Sequence, residues 1–149
     1  MRLEEEINQA KFNSEFHKLS VNLYYTSSWL YAKHRQFFKK FAISPQQYNV
    51  LRILRGQYPK PATVNLLIDR MLDKMSNASR LVDKLEEKEY VVRSISEKDK
   101  RRADVTITNS GLQFLEMMDK EIVKLEAFLT TLNQSEATQL NYLMDKLRG

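Results

Sequence analysis

The stretch from Asp73 to Gly111 constrains this 149-residue chain more than any other. It reads as a helix, a strand, a charged turn, a second strand and the start of another helix. In the first helix Ala78, Leu81, Val82 and Leu85 fall at i, i+3, i+4 and i+7, so one apolar stripe must face a core. Asn77, Arg80 and Lys84 lie on another face, with Ser76 beside them. Asp73 and Ser76 are the candidate N-caps. Tyr90 to Ser96 is rich in β-branched residues, as a strand requires. Residues 97–102, EKDKRR, make a charged turn. Ala103, Val105 and Ile107 then alternate with Asp104, Thr106 and Thr108, the period of a strand with one buried face. Thr108 can cap the helix that follows.

A helix with a polar outer face followed by a basic-tipped hairpin is the winged helix-turn-helix pattern. By themselves Arg80, Asn77 and Ser76 read as base contacts or as a solvated helix face; a wing directly after the helix favours base contacts, since Arg or Lys on guanine and Asn on adenine are the natural pairings. Lys84 and Lys74 are placed for phosphate. Thr63 caps a short helix running through Met71, whose terminal amides offer a phosphate seat or simply an ordinary capped start. That helix is expected to bury Leu66 and Leu67, with Met71 a further candidate.

The segment SRLVDKLEEKEYV followed by DKRRADVTITNSG resembles the MarR family of bacterial transcription regulators. The family's wing pattern is met by Asp99, Arg101, Val105, Ile107, Thr108 and Gly111. With the flanking helices the similarity covers nearly the whole chain. The resemblance implies that Arg101 enters a minor groove, where narrow A·T-rich DNA attracts guanidinium. Asp99 restrains that arginine or the turn, and Lys98, Lys100 and Arg102 neutralise phosphates. At Glu89 the family usually has Gly, which suits a left-handed residue at a helix end. Either Glu89 carries a strain of about 1 kcal/mol or the turn differs.

The rest of the chain reads as a frame for this stretch. A helical region is expected from about Glu4 to Phe41, free of Gly and Pro. Phe12, Phe16, Leu19, Leu23, Leu30 and Phe37 make one stripe in it, and Tyr24, Tyr31 and Phe38 a second. Ser44-Pro45 opens the next helix, which stops near Gly56, and Tyr58-Pro59-Lys60-Pro61 is a stiff connector. After the hairpin, Leu115, Met118, Ile122, Leu125, Leu129 and Leu132 step by three and four without a break. Ser135 is placed to cap a last helix bearing Ala137, Leu140, Met144 and Leu147.

The terminal helices carry more apolar stripe than one small lobe can cover. A homodimer with interleaved terminal helices is the economical solution, and the resemblance implies the same; an intramolecular antiparallel pair is the other. The expected architecture is therefore mainly α with a small β-hairpin wing. It is a single domain over 1–149, with about 1–41 and 109–149 as dimerisation helices and about 44–108 as a winged lobe. A two-fold dimer carries two reading heads, for half-sites about one DNA turn apart.

Composition bounds the function. A net charge of +5 is compatible with a polyanionic partner. Zero cysteines remove thiolate chemistry, Cys-based metal sites and cysteine redox sensing. Three glycines, unclustered, exclude nucleotide-binding loops. His17 and His34 have no second ligand at metal spacing, so no cofactor or metal is expected. No nucleophile-base-acid set marks an enzyme. MRLEEEINQA is no secretory signal and no run reaches membrane-span length, so a cytoplasmic location is expected. Tyr24, Tyr25, Trp29 and Tyr31 read as dimer core or as an effector pocket. In similar proteins such pockets accept phenolic or other aromatic carboxylates; Arg35 and His34 offer charge for such an anion. The reading is a double-stranded-DNA-binding regulator, a ligand-responsive repressor acting as a homodimer. The competing reading is a winged-helix protein-interaction module.

Overall fold

The computed structural model describes residues 2–95 and 103–149. Its contacts divide the chain into two compact units, 1–45 and 46–149.

The N-terminal unit holds α1 (Leu3–Glu6) and α2 (Glu15–Lys39). The continuous helix expected from Glu4 to Phe41 is thus broken at residues 7–14. Asn8 takes a left-handed conformation (φ 53°), where Asn is tolerated best after Gly. Ser14 then restarts the chain by accepting a hydrogen bond from the His17 amide at 3.1 Å. Side chains hold α1 against α2: Lys18 donates to Glu4 at 2.6 Å and the Tyr25 hydroxyl donates to Glu6 at 2.6 Å. The Lys18 contact lowers the Glu4 pKa, and the bond to Glu6 raises that of Tyr25. At 25 residues α2 is about 37 Å long. Phe38 is its one buried residue, while Phe16, Leu19, Tyr24, Trp29 and Tyr31 are exposed.

The second unit begins in α3 (Pro45–Gln57) and continues through β1 (Ala62–Thr63), α4 (Val64–Arg70), α5 (Ala78–Glu86), β2 (Val91–Ile95), β3 (Ala103–Ile107), α6 (Asn109–Glu126), a 3-10 turn (Ala127–Thr131) and α7 (Gln134–Arg148). The expected hairpin is β2–β3, paired antiparallel from Val91–Ile107 to Ile95–Ala103. Sequence pattern did not reveal β1, which adds a third strand on the other side of β3 through Ala62–Val105 and Thr63–Asp104. A two-residue strand has no periodicity to read.

The core of this unit gathers Val50, Leu51 and Leu54 of α3, Leu67 of α4, Val82 and Leu85 of α5, Val105 of β3, and Leu115 and Met118 of α6. Arg55 of α3 grips Asp119 of α6 through two nearly parallel bonds of 2.6 and 3.0 Å. This contact lowers the Asp119 pKa.

The unbroken seam expected from Leu115 to Leu132 ends early. Leu115, Met118 and Leu125 are buried, but the helix tightens into a 3-10 turn after Glu126, and Leu129 and Leu132 are exposed. Here the Thr130 hydroxyl donates to the Ala127 carbonyl at 2.7 Å, competing with helical bonding. Asn133, not Ser135, caps α7. It exchanges bonds with Glu136 in a capping box: Asn133 Oδ1 accepts from the Glu136 amide and Glu136 accepts from the Asn133 amide. No residue of α7 is buried.

Candidate nucleic-acid interface

The helix α5 is short and strongly two-faced. Ala78, Val82 and Leu85 are buried and Leu81 half-buried, as the stripe requires. Asn77, Ser79, Arg80 and Lys84 are exposed.

Its start differs from the expected caps. Asn77 is the N-cap, with its side-chain oxygen accepting from the Arg80 amide at 3.1 Å. Asp73 instead builds the turn before the helix. One of its oxygens accepts from the Met75 amide at 3.0 Å; the other accepts from the Ser76 hydroxyl at 2.8 Å and from Gln46 at 3.2 Å. The Ser76 bond, then the Gln46 bond, lower the Asp73 pKa. Asp, Ser and Asn cap about equally well, so the choice falls to tertiary contacts such as Gln46.

The helix ends where the family's glycine is missing. Glu89 is left-handed (φ 59°), so the turn keeps the backbone that Gly would favour and the strain is carried. The Glu89 amide donates to the Glu86 carbonyl at 2.8 Å and the Tyr90 amide to the Leu85 carbonyl at 3.0 Å, a Schellman pair. Thr108, the cap of α6, reaches back with its hydroxyl to donate to the Glu89 carbonyl at 2.7 Å. Gly111 serves the same junction. A Cβ there would stand 2.3 Å from the Tyr90 carbonyl oxygen and 2.7 Å from Ile107. The first turn of α6 can lie this close to Tyr90, just before β2, and to Ile107 of β3 only with glycine at that place.

Arg93 of β2 joins the sheet to α5. Its guanidinium donates to Asp83 at 2.6 Å and to the Ser79 carbonyl at 3.4 Å, and its amide donates to Glu86 at 3.0 Å. Sequence reasoning missed this arginine. Its position on a strand, opposite an acid of the preceding helix, has no local signature.

The other candidates divide. Thr63 caps α4 and accepts from the Leu66 amide at 3.2 Å. Lys74 lies over the C-terminal end of α4 and donates to the carbonyls of Ile68 and Asp69. Lys98, Asp99, Lys100, Arg101 and Arg102 lie outside the described residues.

In the N-terminal unit an open groove of about 640 Å³ is lined by Tyr31, Arg35, Gln36, Lys39 and Ile43, among others. Tyr24, Tyr25 and Trp29 do not line it; Tyr25 is held by Glu6. Burial lowers the pKa of His34, which does not line the groove; Arg35 and Lys39 are the cations that line it with Tyr31.

A recognition-type helix seated on a second helix, capped, clamped to a three-stranded sheet and open on its polar side, is a winged helix-turn-helix. Comparison with known proteins agrees. The MarR family profile matches residues 43–103. The chain is 27% identical over 110 residues to the HTH-type transcriptional repressor MdtR of Bacillus subtilis, covering 73% of this chain and 70% of the relative. A crystal structure of a MarR transcription factor from Planctomyces limnophilus superposes with a TM-score of 0.69 at 28% identity, covering 91% of this chain and 98% of the other. The DNA complex of Staphylococcus aureus MepR has the same fold, with a TM-score of 0.75 at 22% identity, over 86% of this chain and 94% of the other. The chain resembles the MarR family of winged helix-turn-helix transcription regulators, through this profile match and these relatives.

Among the described residues, no helix is long and apolar enough to cross a membrane.

Proposed function

We propose that this regulator is a homodimeric, cytoplasmic repressor that occludes a promoter and answers to a small aromatic or phenolic effector. The observation that carries the DNA-binding geometry is the division of α5. Ala78, Val82 and Leu85 of its apolar face are buried in the core, while Asn77, Arg80 and Lys84 stand uncovered on the other side. In this reading α5 enters a major groove, Arg80, Asn77 and Ser76 face base edges, and Lys84 and Thr63 face phosphates. Asn77 reads with its amide nitrogen, because its oxygen is committed to the cap. Lys74 positions the turn through its bonds to α4 and adds positive potential. Arg101 enters the minor groove, with Asp99 restraining it and Lys98, Lys100 and Arg102 on phosphates.

The homodimer is supported by the exposed apolar faces of the terminal helices: Phe16, Leu19 and Tyr24 of α2, and Leu140, Leu143 and Leu147 of α7. A second copy covers them, with about 1–41 and 109–149 as dimerisation arms and about 44–108 as the reading lobe of a single 1–149 domain. The groove beside Tyr31 supports the effector, since an aromatic ring and the Arg35 and Lys39 cations line it together. Tyr24, Tyr25 and Trp29 belong to the same aromatic helix but not to the groove's lining, and in this reading they serve the dimer core. A bound effector changes the separation of the two heads, and affinity for fixed half-sites falls.

Fluorescence anisotropy tests the reading. Labelled duplex from the protein's own upstream region is titrated beside a scrambled duplex, at two salt concentrations. Binding should be salt-sensitive, favour the native duplex and weaken in Arg80→Ala and Arg101→Ala. Arg101→Ala should also lower the salt slope by about one unit. Weak binding, equal on both duplexes and indifferent to both substitutions, would count against it.

A further inference from the structure

Among the described residues the two most exposed large apolar side chains are neighbours in the turn before α5: Met75 at 94% and Leu72 at 88%. Loose structure does not explain this, because the turn is tied down on every side. The Leu72 amide donates to Asn49 at 3.0 Å, the Met75 amide to Asp73 at 3.0 Å, the Ser76 amide to the Asp73 carbonyl at 3.3 Å, and Lys74 to the Ile68 carbonyl at 3.2 Å. The polar groups of the turn bond to one another and to α3 and α4, while the side chains of Leu72 and Met75 stand in water. A rigid turn that holds a thioether in solvent is presenting it to something.

We propose that Met75 is a specificity residue that packs against the 5-methyl group of a thymine in the major groove. The proposal rests on the DNA-binding reading above and extends it. Met75 stands two residues before the Asn77 cap, on the segment that leads a recognition helix onto base edges. The thymine methyl is the one apolar feature that a base pair shows in that groove. An unbranched, polarizable side chain adapts to it without demanding a fixed direction. Leu72 extends the same apolar surface outward from the helix start.

Uracil is the discriminating probe, since it keeps every hydrogen-bonding group of thymine and lacks only the methyl. Full-length protein is used to select from a random duplex library, and the enriched duplex is resynthesised with single thymine-to-uracil replacements. Wild type should lose about fourfold in affinity at one thymine per half-site. Met75→Ser should bind the thymine and uracil duplexes equally, and Met75→Leu should restore the preference. Equal thymine preference in wild type and Met75→Ser would overturn the contact. So would wild-type indifference to uracil at every thymine, which would leave the apolar pair to a protein partner. Failure of wild type to enrich any sequence would overturn the DNA-binding reading and this contact with it, an outcome distinct from the other two.

Discussion

Replacing Glu89 by Gly should stabilise the protein, although it removes a whole side chain. Glu89 is held left-handed at φ 59° by two backbone bonds and by the Thr108 hydroxyl. An L-residue there is strained by roughly 1–2 kcal/mol. Glycine removes that strain but costs about 0.5–1 kcal/mol through its larger unfolded-state entropy. The net expectation is a gain of about 0.5–1 kcal/mol, or about 2–4 °C in Tm for a chain of this size. Loss of a negative charge near the C-terminal end of α5 adds a few tenths more. Glu89→Ala separates the two effects, because it removes the charge and keeps the Cβ. Urea and thermal unfolding should be followed at one fixed protein concentration, since the proposed dimer would make Tm concentration-dependent. Glu89→Gly should exceed Glu89→Ala by about 0.5 kcal/mol or more. Equal stabilities for the two variants would refute the argument that backbone strain is stored at this junction.

Three other perturbations follow from the same geometry. Gly111→Ala forces a Cβ into the Tyr90 carbonyl and Ile107 and should destabilise by about 1–3 kcal/mol, read by urea unfolding. Asn77→Ala should cost about 1 kcal/mol of stability as well as DNA affinity, whereas Asn77→Asp should keep the cap and lose only affinity; unfolding and anisotropy on the same samples separate the roles. Asp119 is held below its usual 3.8 chiefly by its bond to Arg55, so this contact stabilises above that value and is lost as pH falls through the lowered one. Both side chains are partly exposed, so the difference between wild type and Asp119→Asn should be only about 0.5–1 kcal/mol at pH 7, shrinking below about pH 4 in unfolding titrations.

The recognition helix, the paired strands of the wing and the helix after it were legible because each has a strong local period and one buried face. The apolar residues of α5 occupy the positions that their spacing required, and Thr63 and Thr108 cap where expected. Family resemblance added the assignment of the charged turn, which spacing alone leaves as a solvated loop.

Helix boundaries and partners were not legible. Asn8, Ser14 and the Thr130 hydroxyl divide segments whose apolar periodicity runs straight through, because periodicity records which face is buried and not whether backbone bonding continues. The strand β1 exists only because β3 offers it an edge. Asp73, Ser76 and Asn77 are equivalent as caps by chemistry, and Gln46, 27 residues before Asp73, enters the choice. Sequence by itself determined which faces are apolar, which are polar, and where a turn must form, since these depend on neighbours a few residues apart. Only the tertiary structure decided that Arg93 clamps α5, that Gly111 must lack a side chain, and that Met75 is held out in water. Each of those depends on atoms brought together by the fold, and no local pattern encodes such a meeting.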